Sequence, residues 1–146
     1  MSEKRLDLEV KQKMFIRAPR EKVYDAFATA EGLDGWFTRG AQVDARPGGA
    51  MLFRWVDWGA EKDINETAPG RVIEAKRPER FVYEWGAPGE ESTVEILLEE
   101  REGGTLVLLR EYGFRKIDQV IGNAGGWGEA LTLAKFWVEH GLATNR

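Results

Sequence analysis

Cysteine is absent from the chain and histidine occurs once. Without cysteine there is no disulfide frame and no thiol chemistry. With a single histidine, most nucleophilic arrangements and His/Cys zinc clusters fall away too. No HExxH, DxDxDG, GxxxxGK or GxGxxG spacing occurs, so no metal or nucleotide cofactor is expected. Long apolar runs are also missing. The longest purely aliphatic stretch is Leu106–Leu109, "LVLL", where a membrane-spanning helix needs about 20 residues. The opening "MSEKRLDLEVKQKM" is charged throughout and has no signal-peptide apolar stretch, so the cytoplasm is the expected compartment. Positive charge is scattered and the net charge is −4, which disfavours nucleic acid as a partner. No repeat, low-complexity segment or linker is visible. A length of 146 residues suits one domain around one core.

What is present is an ordinary globular balance, 42% hydrophobic and 32% charged, with six tryptophans. "EVKQKMFI" alternates Val10, Gln12, Met14 and Ile16 against Glu9, Lys11, Lys13 and Phe15, and reads as a half-buried strand. In "APREKVYDAFATA", Pro19 suits a first helical turn. Val23, Ala26, Phe27 and Ala30 then fall on one helix face. A short second helix, "EGLDGWF", follows a break at Thr29 or Ala30 and should end at Gly40. From Gln42 the texture turns to short β-rich runs: "AQVDA", "AMLFRWVDW", "GRVIEAK", "RFVYEWG", "STVEILLEE" and "TLVLLREYGF". The separators "RPGG", "GAEKDINETAPG", "KRPE", "GAPGEE" and "REGG" are turn material. Consecutive strands should therefore be antiparallel neighbours. The order is strand, two helices, six strands and a long last helix. This predicts an α+β fold with a curved seven-stranded antiparallel sheet. Its concave face needs a cover, and the last helix supplies the stripe Trp127, Leu131, Ala134, Val138.

These motifs carry a family likeness. "IRAPREKVYDAFATAEGLDGWFT" resembles the opening of the START-like SRPBCC superfamily. The nearer match is the branch homologous to the activator of heat-shock-protein-90 ATPase. "VDARPGGAMLFRW", "GRVIEAKRPERFVYEW", "GTLVLLREYGF" and "GWGEALTLAKFWVEHG" are similar to that branch's later motifs, in order, over about residues 11–141. The resemblance implies the helix-grip fold, a sheet wrapped around a long C-terminal helix with a cavity between them. In related families that cavity holds lipids, sterols, hormones or polyketides. It also implies two alternatives: a stress-related module that acts on a chaperone or client protein, and a polyketide cyclase-like enzyme.

Several residues are candidates for such a cavity. Phe81, Tyr83 and Trp85 share one face of their strand. Met51, Phe53, Trp55 and Asp57 share a face of theirs, opposite Leu52, Arg54, Val56 and Trp58, and either face could point inward. Val94, Ile96 and Leu98 are expected inward. If Val107 and Leu109 face inward as well, Glu111 follows them to the cavity end. A carboxylate there would be desolvated and would need Arg54 or a hydroxyl as partner. It could orient a polar ligand tip or act as a general acid or base. Alternatively it sits at the strand end and reaches water. The expected wall is Phe53, Trp55, Tyr83, Trp85 and Trp127, with Arg54 or Glu111 as polar anchor and Trp36, Leu98 and Leu131 completing the lining. The aromatics could equally be plain core. His140, beside Gly141, reads as a dipole partner at a helix C-terminus.

One stretch resists the simple pattern. "GNAGGWG", residues 122–128, places four glycines in seven positions of the last helix. Together they cost roughly 4 kcal/mol relative to alanine in a helix interior. Either the helix starts near Gly126, or it begins near Ile117 and its first half roofs a cavity. Ile117, Val120, Ala124 and Trp127 fall on one face, which favours a helix over about 116–140, soft at 122–128. The leading expectation is a small binding protein, monomer or weak homodimer, enclosing a hydrophobic or amphipathic small molecule. The interaction-module alternative would use the outer sheet face, where Leu97, Leu106 and Leu108 are expected to be exposed.

Overall fold

The computed structural model describes residues 4–143. The elements, in chain order, are β1 (Val10–Ile16), α1 (Arg20–Ala28), α2 (Ala30–Trp36), β2 (Gln42–Val43), β3 (Ala50–Trp58), β4 (Ile64–Lys76), β5 (Arg80–Trp85), β6 (Ser92–Arg101), β7 (Gly104–Tyr112) and α3 (Ile117–His140). All seven strands form one antiparallel sheet in the order β1-β7-β6-β5-β4-β3-β2. Turn-linked strands β2 to β7 are sequential neighbours, as short connections dictate. β1 closes the other edge by pairing Val10 with Glu111 and Ile16 with Thr105. α3 lies across the concave side, and Trp127, Leu131, Ala134 and Val138 are all buried there. This is the helix-grip architecture, with α1 and α2 packed at one end.

Period-two patterning places the core on one sheet face. Phe81 and Tyr83 of β5, Val94, Ile96 and Leu98 of β6, and Val107 and Leu109 of β7 are buried. On β3 the inner face is the Met51 and Phe53 set, with Arg54 exposed on the other side. Thr29 caps α2 by accepting a hydrogen bond from Gly32 N at 2.9 Å, one reason α1 and α2 are separate helices. Gly35 lets α2 press against α3, since a Cβ there would overlap the Trp137 indole. α3 ends at Gly141, whose N donates to the Trp137 carbonyl at 2.8 Å and whose φ of 68° turns Leu142 N toward the Phe136 carbonyl at 3.4 Å, a left-handed helix stop.

The structure corrects several expectations. The second helix ends at Trp36, not Gly40. Asp34 Oδ1 accepts hydrogen bonds from Thr38 Oγ1, Gly40 N and Ala41 N, which folds 37–41 into a loop. Most of the "GAEKDINETAPG" separator is strand, because β4 already starts at Ile64. Pairing with β5 begins only at Gly70, opposite Trp85. Residues 64–69 therefore overhang β5 and pair with β3 alone, a place where a proline such as Pro69 is tolerated. The "AQVDA" strand shrinks to two residues. Leu97, Leu106 and Leu108 are half-buried, not exposed. Leu97 lies opposite both Arg80 and Leu108 in the ladders, and cross-strand neighbours of that size cover the outer face.

Candidate functional site

Glu111 is the polar centre of the concave side. The inner parity of Thr105, Val107 and Leu109 carries it inward, and it is 0% exposed. The expectation that it might reach water is corrected. Four donors converge on its two oxygens. Trp127 Nε1 donates to Oε1 at 2.8 Å and Trp85 Nε1 to Oε2 at 2.9 Å. Ser92 Oγ donates to Oε2 at 2.5 Å, and Asn123 Nδ2 lies 3.1 Å from both oxygens.

Register explains this convergence. Trp85 lies opposite Ser92, and Val94, two residues further along the same face of β6, lies opposite Glu111. Asn123 and Trp127 are one helical turn apart on α3, so both project to one face. The Trp85 and Trp127 rings stack at 5.5 Å, so the indoles share the carboxylate as well as a face. Burying such a group is costly unless its hydrogen bonds are satisfied, and here they are. The hydroxyl partner foreseen as one option is Ser92. Arg54 is not a partner: it lies on the outer face with Nη1 on the Arg39 carbonyl at 3.0 Å. Close behind, the buried Tyr83 phenol is held well above its usual pKa by desolvation, with the Glu111 charge adding to the effect. It stays protonated at any ordinary pH.

Beside this hub lies a cavity of about 410 Å³, open at one side. Its walls are the rings of Phe37, Trp55, Trp58, Trp85 and Trp127. Gly122, Asn123 and Gly126 of α3 border it, as do Glu66, Thr67 and Ala68 of β4 and Glu90 and Ser92 around the β5–β6 turn. Of the residues expected to line a cavity, the structure brings Trp55, Trp85 and Trp127 together. Phe53 and Tyr83 lie beneath them, with Phe53 5.0 Å and Tyr83 5.6 Å from the Trp85 ring. Trp36 is fully buried between helices and donates from Nε1 to the Ala26 carbonyl at 2.9 Å. Leu98 and Leu131 are core, away from the cavity. His140 is exposed in the last turn of α3.

Two wall residues escaped sequence reasoning. Strict alternation sends Trp58 to the face opposite Trp55. In the structure Trp55 pairs with Glu66 and Trp58 with Ile64, so three steps on β3 match two on β4. This bulge, with Asp57 at φ 49°, turns Trp58 to the cavity side. Phe37, just past α2, sits 5.4 Å from Trp55, 5.2 Å from Trp58 and 5.7 Å from Trp127. The sequence placed it in the short second helix "EGLDGWF", where no apolar face could be read. Among the described residues no cluster of His, Cys, Asp and Glu is placed to hold a metal. No described helix is long and apolar enough to cross a membrane.

The comparisons with known proteins agree with this geometry. The family model described as "Activator of Hsp90 ATPase homolog 1-like protein" matches residues 17–135. The chain belongs to this family. No curated protein matches the chain. Among solved structures, the Aha1 dimer from Colwellia psychrerythraea superposes with a TM-score of 0.77 at 19% identity, covering 92% of this chain and 98% of that one. Protein SSP2350 from Staphylococcus saprophyticus gives 0.74 at 24% identity, covering 93% and 95%. DynU16, from the dynemicin biosynthetic locus, gives 0.81 at 17% identity. That match covers 97% of this chain, which spans only 51% of DynU16. At these identities the likeness is one of fold.

Proposed function

We propose that this member of the activator of Hsp90 ATPase homolog 1-like family binds a small amphipathic molecule between the glycine-rich half of α3 and the β3–β5 end of the sheet. The observation that carries the reading is the aromatic cavity of about 410 Å³, within the range of about 300–1,000 Å³ that small-molecule sites occupy. The concave side is well filled around Leu131, Ala134 and Val138 but not beneath Gly122 and Gly126. Trp55, Trp58, Trp85, Trp127 and Phe37 are the contact surface, and rings that pack at their edges can still present faces to a guest. Ser92 and Asn123 border the same space with their donors held by Glu111, which leaves their oxygens as acceptors for a guest.

Acid–base catalysis by Glu111 is less well supported. Both its oxygens are already occupied by four donors, and proton transfer to a substrate needs a free oxygen within reach. The chaperone-interaction alternative loses its expected patch, since Leu97, Leu106 and Leu108 are half-buried. Native mass spectrometry of protein purified from cells, with a thermal-shift panel of lipids and aromatic compounds, tests the proposal. A retained mass or a raised melting temperature is expected. No adduct and no shift across the panel would remove it.

A further inference from the structure

The cavity's chemistry discriminates by charge. Its lining includes two acidic residues, Glu66 and Glu90, and no Lys, Arg or His. Glu66 makes no ion pair or side-chain hydrogen bond among the described residues. Glu90 is 3.6 Å from Lys116, whose ammonium is outside the lining. A third carboxylate, Glu111, lies directly behind the wall. Three of its four donors orient the positive end of an N–H away from the cavity and toward that carboxylate: Trp85, Trp127 and Asn123. These N–H groups are therefore not available to an anionic guest. The remaining walls are indole and phenyl faces, which attract cations through their negative quadrupole. Trp55 adds one unused donor, because its Nε1 is buried and has no partner. Any acceptor atom on a ligand could take that hydrogen, but one neutral donor does not replace a cationic partner.

Resting on the ligand-binding reading above, we infer that the cavity selects compact aromatic molecules carrying a protonated amine and rejects carboxylates and phosphates of the same shape. An anion would meet no cationic side chain in the lining and would face the unpaired Glu66, so it would exchange its hydration for neutral donors such as Trp55 Nε1 alone. An ammonium would meet both at once, with Glu66 and Glu90 at the mouth and the rings within.

Isothermal titration of the full chain at pH 7 with 2-naphthylethylamine, 2-naphthylethanol and 2-naphthylacetate tests this. The amine should bind tightest, and the acid about tenfold or more weaker. Glu66→Gln together with Glu90→Gln should bring the amine down to the alcohol and leave the alcohol unchanged. An acid that binds as tightly as the amine, or an amine no tighter than the alcohol, overturns the inference while leaving the cavity a binding site. No heat from any of the three also overturns it, and mass spectrometry of the purified protein then decides separately whether the cavity is a binding site at all.

Discussion

From Glu129 to His140, α3 is held by burial: Leu131, Ala134 and Val138 sit in the core. Lys135 adds a bond to the Phe15 carbonyl at 2.5 Å and to Glu139 at 2.6 Å, and Glu139 accepts from Arg17 N at 2.8 Å. From Ile117 to Gly128 the same helix buries only Trp127. Ile117 is 51% and Ile121 67% exposed. Besides the partly buried Val120 and Ala124, this half is tied down by polar bonds, from Asn123 and Trp127 to Glu111 and from Gln12 Nε2 to the Ala124 carbonyl at 3.1 Å. Burial is non-directional and survives small shifts. Hydrogen bonds to one carboxylate are lost together when that carboxylate changes. One half is therefore an anchor and the other a latched cover. The glycines are not there to relieve crowding, because a Cβ at Gly122, Gly125 or Gly126 would meet open space. Their effect is to keep the cover thin and easy to bend.

The comparison can be broken at the anchor first. Leu131→Ala should cost about 2–5 kcal/mol, read as a lower urea midpoint. A loss no larger than that of Ile121→Ala, an exposed site expected to stay within about 0.5 kcal/mol, would erase the distinction. Glu111→Gln should cost about 1–3 kcal/mol, since it replaces one acceptor oxygen with an NH2 that faces donors then left without a partner. Its signature is local: hydrogen exchange of amides 118–128, expected to be faster than 130–138 in the unmodified chain, should accelerate further. Equal protection of the two halves in the unmodified chain would mean there is no latched cover. Gly122→Ala and Gly125→Ala should each raise stability by about 0.4–1 kcal/mol and slow exchange in the first half only. A destabilising result would point to a conformation of this half that alanine cannot adopt.

The smallest expected effect is on the acid side of the anchor. Burial pushes Glu139 up, but the hydrogen bonds from Lys135 and the Arg17 N–H outweigh it and leave its pKa below the usual carboxylate range. A lowered folded-state pKa contributes stability above the unfolded value and loses it as pH falls through the folded one. The urea midpoints of the unmodified chain and Glu139→Gln should therefore differ at neutral pH and converge in acid. A gap that widens in acid would contradict the sign.

Much of the architecture could be read from alternation and spacing. Turn residues between β-rich runs gave the sequential strands, and the stripe from Trp127 to Val138 gave the covering helix. The family motifs, in order along the chain, agree with the match over residues 17–135. The site was legible only in part. Trp85 and Trp127 could be nominated because they sit on regular elements with a predictable face, and Trp55 as one of two possible inner faces of β3. Trp58 could not, because the bulge after Trp55 reverses parity and no alternation rule anticipates one extra residue. Arg54 was nominated because either face of β3 was apolar enough to be inner. That choice was made by Phe53 packing against Tyr83 across the sheet, with ring centroids 5.4 Å apart.

By itself, the sequence determined the order of the main elements and that Glu111 shares a face with Val107 and Leu109, because hydrophobic period and turn chemistry are local properties. Only the tertiary structure decided that Glu111 gathers Trp85, Ser92, Asn123 and Trp127, and that a cavity remains beside them. Those partners come from three separate elements, and their meeting depends on strand register and on where α3 crosses the sheet. Neither is encoded within any one stretch of chain.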